Sequence, residues 1–368
     1  MSALPTYLLL VLRGLEFLAE KEIREKLEVQ CGVPRGEAAV GRILLRTRSS
    51  PAQVKSLQSV QAVLGFLAKS DEVITDTRQG IEQIAQMIIA SDWEPAMQLW
   101  SQHSLRPNDK ISFRGSCVRD GRHAYKSVDI AGEIGALVVE KFGWDVDLDH
   151  FTLEIVCILF ENFMIAGVSL ADTTKIQFRS RLANEDRSAV TDSQYVSTLR
   201  PSTTYLMLQL ANYSDGDILL DSMCGVGTIP ICCAQFAKNR VFALGGELDA
   251  LPVGKAGSNA SARAMNVDIS QWDSTRLPLR SKSIDKILVD MPFGVRCGNH
   301  RLNNKIYPKI LQEMLRVLRD DGRAVLLVMS KKLFKGCIKN LPAFRVVDEF
   351  EVNIGGLGGG IYILEKAS

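Results

Sequence analysis

The stretch Leu219-Leu220-Asp221-Ser222-Met223-Cys224-Gly225-Val226-Gly227-Thr228 decides how the second half of this 368-residue chain is read. An apolar run ending in an acid and then a Gly-x-Gly turn is the pattern of a buried strand that hands the backbone to a helix. In an open α/β sheet the ligand sits beyond the carboxyl ends of the strands, so this first turn must be tight and free of obstructing side chains. Gly225 and Gly227 permit that approach, and Cys224 and Thr228 complete the turn. The missing third glycine argues against a dinucleotide and for a methyl donor. Further on, Val289-Asp290-Met291-Pro292-Phe293-Gly294 ends another strand with an acid, a proline and an aromatic ring.

Working outward, the chain from Leu199 alternates strand and helix, as a doubly wound parallel sheet requires. Strands are predicted at Ile218 to Asp221, Val241 to Glu247, Ile284 to Asp290, Ala324 to Ser330, Val346 to Ile354 and Gly360 to Glu365, with a further strand before Asp273. The run Gly355 to Gly360 lacks the Gly-Lys-Ser/Thr of a phosphate loop and reads as a hairpin.

Acids at the predicted strand ends fill out a nucleoside site. Asp221 closes the first strand. Glu247 closes the second, where a carboxylate accepts hydrogen bonds from ribose hydroxyls, and Asp249 is the runner-up for that contact. Asp273 is placed to receive an adenine amino group. A lone acid of this kind is an ordinary solvated strand end; acids together at three successive strand ends read as a nucleoside site.

The Asp290 loop supplies the chemistry. A nucleobase amine is a poor nucleophile because its lone pair is delocalised into the ring, so an enzyme must hold it by its hydrogens. The Asp290 carboxylate and the Met291 carbonyl can accept those hydrogens, Phe293 can stack on the base, and Pro292 keeps Met291 out of helical geometry. Placing amine and donor together supplies most of the rate by orientation. Cysteine chemistry at a pyrimidine carbon is the competing reading, with Cys224 and Cys297 as the nearby thiols, but neither follows the loop proline.

The first half alternates strand-like and helix-like segments: Tyr7 to Leu12, Leu15 to Leu27, Arg42 to Thr47, Pro51 to Leu57, Ala62 to Ala68 and Gly80 to Ile89. This suggests a ferredoxin-like domain over 1–105. After the joint Arg106-Pro107-Asn108-Asp109, a second α/β module over 106–172 is predicted. A polar linker over 173–198 and the catalytic domain over 199–368 follow.

The net charge of +2 at pH 7 decides nothing about partners, so local clusters must. Lys110, Arg114, Arg119, Arg122, His123 and Lys126 gather in the second module, and Lys175, Arg179 and Arg181 in the linker. Arg296, His300, Arg301, Lys305 and Lys309 follow the catalytic loop in a stretch without an acid. Charge runs are usually solvated faces; alongside a base-sized site they point to phosphate contacts. Eight cysteines without a Cys-x-x-Cys pair, and no His at ligand spacing, read as reduced thiols with no metal site. Leu8 to Leu12 is too short and too little flanked by basic residues for a signal or span. With no targeting segment read, the cytoplasm is expected and the nucleus left open.

Leu199-Arg200-Pro201-Ser202-Thr203-Thr204, the Asp-x-x-Cys-Gly-x-Gly-Thr turn, the Asp-x-Pro-Phe-Gly loop, the opening Leu12-Arg13-Gly14-Leu15-Glu16 and the late Gly-Gly-Leu together resemble THUMP-domain RNA guanine-N2-methyltransferases. The resemblance implies a Rossmann-like domain using S-adenosylmethionine, preceded by ferredoxin-like and THUMP domains that grip tRNA. It implies N2-methylguanosine in the tRNA acceptor stem as product, and a small zinc-containing methyltransferase-activator subunit as partner in a heterodimer. One departure stands out: many amino-methyltransferases carry two prolines in the loop, and Met291 occupies the place of the first. The rivals are N2-methylation of a small nuclear RNA, methylation of a protein glutamine amide, and an RNA-binding scaffold with an inactive methyltransferase domain.

Overall fold

The computed structural model describes residues 4–28, 40–103, 110–172, 199–262, 265–292 and 300–367, leaving out the side chains of 300–302. The expected linker over 173–198 therefore lies outside the described residues. Contacts divide the chain into two units: Met1–Val11 with Ala19–Asn184, and Leu12–Leu18 with Glu185–Ser368.

The first unit is built on one sheet. Its strands are β1 (Thr6–Val11), β2 (Arg42–Arg46), β3 (Val60–Ser70), β4 (Ser112–Asp120), β5 (Asp145–Val146), β6 (Leu153–Phe160) and β7 (Phe163–Ser169), in the order β2-β1-β3-β7-β6-β4-β5. The helices are α1 (Glu16–Lys26), α2 (Pro51–Lys55), α3 (Gln79–Ile89), α4 (Glu94–His103) and α5 (Ser127–Phe142). Leu9, Val63, Ile155 and Cys157 point into the main core with Ile84, Trp100, Ile134 and Val138 of the helices. Leu8, Leu64, Val156 and Ile158 alternate with them into a smaller cluster on the opposite face. The β3–β7 pairing makes the sheet continuous across the boundary predicted near residue 105. The two predicted modules therefore share one sheet.

The second unit is a three-layer α/β/α sandwich. Its strands are β8 (Ile218–Asp221), β9 (Phe242–Glu247), β10 (Val267–Gln271), β11 (Ile284–Asp290), β12 (Leu318–Val328), β13 (Phe344–Ile354) and β14 (Leu357–Lys366). They run in the order β10-β9-β8-β11-β12-β14-β13, parallel except for β14, which is antiparallel to both neighbours. Helices α6 (Pro201–Ala211), α7 (Thr228–Phe236), α8 (Ala250–Ser261), α9 (His300–Val317) and α10 (Lys331–Lys339) complete it. Leu219, Leu288, Val325 and Leu327 bury against Leu206, Leu210, Ile229 and Cys233 of α6 and α7. Their sequence neighbours Leu220, Ile287, Val289, Ala324 and Leu326 bury against Tyr307, Ile310, Met314 and Phe334 of α9 and α10. A strand covered on both faces reads as a continuous apolar run, as these do.

Strand order reverses between β8 and β11, so the switch point of the sheet lies there. The glycine-rich run expected to be a hairpin is one: Gly355 and Gly356 take φ of +60° and +87° between β13 and β14. The early Leu12 to Leu18 segment belongs with this unit, where Leu12 and Leu15 join the α6 core. Gly14 sits there at φ +94°, and a Cβ on it would fall 2.0 Å from the Glu351 carbonyl oxygen. Only glycine fits.

Candidate active site

Asp221 and Asp290 end the two strands that flank the switch point. From Asp221 the chain makes a tight turn through Gly225 (φ +54°) and Gly227 (φ +87°), the latter just before α7. A Cβ on Gly227 would lie 3.0 Å from Ile231 and 3.2 Å from Ala256, so the turn is wedged between α7 and α8. The Cys224 N–H donates to the Gly246 carbonyl (2.8 Å), joining the turn to the end of β9.

Glu247 tightens the same junction. One carboxylate oxygen accepts from the Gly225 N–H (3.1 Å) and the other from the Leu248 N–H (2.7 Å). Asp249 stands exposed before α8, with no capping bond from its side chain. Of the two ribose candidates, Glu247 is the one the fold brings to the glycine turn. Asp273 follows β10 in an exposed turn, its Oδ1 accepting from the Thr275 N–H and Oγ1–H, each 2.8 Å away. Thr228 and Cys224 are buried within the turn. Burial and two nearby acids push the Cys224 thiol up, which removes it as a nucleophile at neutral pH.

Sequence reasoning missed Trp272. Its indole lies against Gly246, where a Cβ would sit 1.6 Å from the ring, and its N–H donates to the Ser222 carbonyl (3.2 Å). The third strand end is thereby pinned to the first turn.

The two acids at the switch point are charge-starved. Burial raises the Asp221 carboxyl well above its usual value, against the lowering pull of the Met223 N–H bond, and the charges of Asp290 and Glu247 raise it further. Burial pushes Asp290 up to about 7, and its Oδ1 is shut off from solvent with no hydrogen-bond partner among the described residues. An unpaired buried carboxylate is costly, so this pair suits a site completed by a cation. A sulfonium nucleoside fits that requirement.

The loop after Asp290 is anchored at three points. The Met291 N–H donates to the Leu327 carbonyl (2.9 Å), a ladder bond that proline at this position could not make. The Pro292 carbonyl accepts from the Asn303 Nδ2–H (2.8 Å) and the Tyr307 Oη–H (2.7 Å), both on α9 and both wholly buried. These donors fill the two lone pairs of that carbonyl. The rigidity expected from a second proline comes instead from α9. The signal in sequence was an Asn and a Tyr one turn apart on an apolar helix face, a pattern that otherwise reads as core. Phe293 lies outside the described residues, so its stacking role has no geometry here. Tyr307→Phe should lower kcat about tenfold and leave donor affinity unchanged, since a loosened loop misplaces the amine. Single-turnover rates beside calorimetric donor binding check this.

The basic residues sort unevenly. Lys175, Arg179, Arg181, Arg296 and the side chains of His300 and Arg301 lie outside the described residues. Arg122 and Lys126 are exposed, and so are Lys305 and Lys309 on α9. Lys110 is exposed but pairs with Asp145 (2.7 Å). Arg119 is partly buried, with one guanidinium nitrogen 3.3 Å from His123 Nδ1. Arg114 corrects the sequence reading. Its guanidinium bonds buried Glu154 (2.8 Å) and the Leu148 carbonyl (3.2 Å) and lies 4.6 Å from the centre of the Phe151 ring. Its charge is engaged inside the fold rather than set out on a solvated face. Arg114→Ala should destabilise the first unit by about 3–5 kcal/mol, because a buried carboxylate loses its partner. Urea unfolding measures this, while Arg122→Ala should leave stability unchanged.

Residues 189–358 match the family model described as RMKL-like, methyltransferase domain. The chain is 34% identical over 272 residues to the tRNA (guanine(6)-N(2))-methyltransferase THUMP3 of Bos taurus, covering 70% of this chain and 51% of that protein. It is 31% identical over 229 residues to the U6 snRNA (guanine-N(2))-methyltransferase THUMPD2 of Bos taurus, covering 61% and 42%. The chain thus spans about half the length of the curated relatives it matches. Among solved structures, TrmN from Thermus thermophilus superposes with a TM-score of 0.74 at 21% identity, covering 99% of this chain and 100% of that one. That likeness extends the shared fold over both units.

Proposed function

We propose that the chain transfers a methyl group from S-adenosylmethionine to the exocyclic N2 amine of a guanosine in the tRNA acceptor stem, a reading supported by the match of residues 189–358 to the RMKL-like methyltransferase-domain model. The observation that carries the chemistry is Asp290: a half-buried carboxylate whose Oδ1 is shut off from solvent and has no hydrogen-bond partner among the described residues, at the switch point, beside a loop held on α9. Similarity to tRNA guanine-N2-methyltransferases supports the choice of substrate.

The cofactor would be held by Asp221, the turn of Gly225 and Gly227, Glu247 and Asp273, and when bound it supplies an electrophilic methyl carbon. Its positive charge would offset the two acids at the switch point and draw Asp290 into its ionised form. Ionised Asp290 accepts one hydrogen of the amine and the Met291 carbonyl the other. That orients the nitrogen and prevents its rotation away. As the amine took the methyl group and the methyl–sulfur bond broke, the nitrogen would turn cationic and acidic, and the ionised Asp290 would take the departing proton. Water exclusion follows from the burial of Asp221, Met291 and Asn303.

In this reading the first unit grips the RNA, through exposed Arg122 and Lys126. Those contacts would weaken with added salt. A small zinc-containing activator subunit is part of the proposal. The sheet edge strand β10 and the exposed Leu248 (60%) and Leu251 (66%) offer it an unpaired backbone and apolar contacts. A cytoplasmic location belongs to the same proposal, and imaging of the tagged chain tests it.

Transfer of labelled methyl groups, with and without the activator, into tRNA, small nuclear RNA and protein fractions tests the function. Label in tRNA is expected. Label in small nuclear RNA alone would favour the activity named for THUMPD2, label in protein would favour the glutamine amide, and no label with donor bound would favour the scaffold.

A further inference from the structure

A cavity of about 1070 Å³ lies between α9, α10, the end of β12 and the start of β14. It opens at the carboxyl edge of the sheet, the edge that carries Asp290, yet neither Asp290, Met291 nor Asp221 lines it. Among the described residues, the amine site and this cavity share no lining residue. Tyr307 of α9 donates to the Pro292 carbonyl, while Asn304 and Pro308 beside it on the helix line the cavity.

Two residues that pack poorly leave the space open. Gly336 presents no side chain from α10, and a Cβ built on it meets nothing within 4 Å. Pro308 interrupts α9 and has no N–H to give, so the Asn304 carbonyl, one turn back in the same wall, is denied its helical hydrogen bond.

The lining has three chemical parts. Leu311, Leu333 and Leu341 make an apolar floor. Asn304, Gln312 and Asn340 contribute carboxamides, which both donate and accept, next to the Asn304 carbonyl. Lys332 stands at the rim, exposed and without an ion pair among the described residues, whereas its neighbour Lys331 pairs with Glu351 (2.8 Å). An apolar slot with a few polar groups is the usual form of a pocket for a flat heterocycle. Carboxamides match the mixed donor and acceptor edges of a base, and a free ammonium matches a phosphate.

We infer that this cavity receives an unpaired nucleotide of the substrate RNA, flanking the methylated guanosine, with the base on the leucine floor and its phosphate at Lys332. The inference rests on the proposed RNA substrate. A flanking nucleotide held here would keep the duplex open beside the target, where unpairing costs roughly a few kcal/mol.

Gly336→Phe fills the cavity from a position with room for a ring, and Gly336→Ala is its control. With the full chain, its activator and tRNA, Gly336→Phe should raise KM for tRNA about tenfold with donor affinity unchanged, while Gly336→Ala behaves as wild type. Lys332→Glu, at an exposed position, covers the case in which Gly336→Phe does not fold. It should raise KM similarly and reduce the salt dependence of tRNA binding. Photo-crosslinking of thiouridine-substituted tRNA should label peptides from α9 or α10. Unchanged KM in a folded Gly336→Phe and in Lys332→Glu overturns the inference, as does a Gly336→Phe chain that loses the activator but not tRNA. If the wild-type chain transfers no methyl to tRNA, the functional reading has failed instead, and this is seen before any variant is compared.

Discussion

Asp290→Asn should lower the rate of methyl transfer about 100-fold or more while donor binding survives, because a carboxamide can accept a hydrogen of the amine but carries no charge and cannot take the departing proton. The side chain keeps its shape and the strand end keeps its packing, so the loss reports on chemistry. The pH dependence sharpens this. Burial holds the Asp290 carboxyl up at about 7 in the free chain, a bound cation lowers it, and the ionised form is the acceptor, so the wild-type rate should rise with pH and level off at or below that value. The asparagine variant should lack this titration. Stability moves the other way. A carboxyl whose folded value exceeds its unfolded value of 3.8 stabilises the fold fully below the lower figure, and that contribution is lost as pH rises towards about 7. Asp290→Asn should therefore be more stable than wild type above neutrality, though nearly inactive. Urea titrations at pH 5 and pH 8, set beside single-turnover rates, measure both effects. Wild-type activity in the variant would remove Asp290 from the mechanism.

Gly246→Ala should unfold the donor site locally with a single methyl group. The added carbon would lie 1.6 Å from one atom of the Trp272 ring and 2.1 Å from another, so the indole must leave. With it goes the hydrogen bond to the Ser222 carbonyl that ties the end of β10 to the glycine turn. Overpacking of this kind costs about 1–3 kcal/mol, and the displaced turn should bind S-adenosylmethionine at least about tenfold more weakly. Gly254→Ala on α8 is the contrasting case, since its Cβ meets nothing within 4 Å, and it should gain slightly from better helix propensity. Calorimetry on both variants separates them. Equal affinities would show that Trp272 does not shape the site.

The catalytic domain was legible in sequence because its central strands are covered on both faces and end in acids or glycines. β8 and β11 fall where the apolar runs place them, and β9 begins within a residue. β12 starts earlier than expected, at Leu318, because the charged stretch Arg319-Asp320-Asp321 masks its first residues. Helix α4 was missed for a different reason: its buried Ala96, Leu99 and Trp100 keep helical spacing, but they cover one turn of a ten-residue helix with a proline in its first turn. The site acids were visible as strand ends. Asn303, Tyr307 and Trp272 were not, since each acts through a partner remote in sequence. The Pro292 carbonyl lies 11 residues from Asn303, and the Ser222 carbonyl 50 residues from Trp272. Arg114 failed in the opposite direction. An arginine in a basic cluster looks solvated until Glu154 is seen buried opposite it on β6.

The Asp290 end of β11 is proposed to orient a guanine amine for methylation in tRNA. Mass spectrometry of nucleosides from unmodified tRNA, incubated with the purified chain, its activator and S-adenosylmethionine, tests this. N2-methylguanosine from the acceptor stem is expected with the wild-type chain and almost none with Asp290→Asn. A methylated nucleoside other than N2-methylguanosine, or undiminished product from the variant, would contradict it.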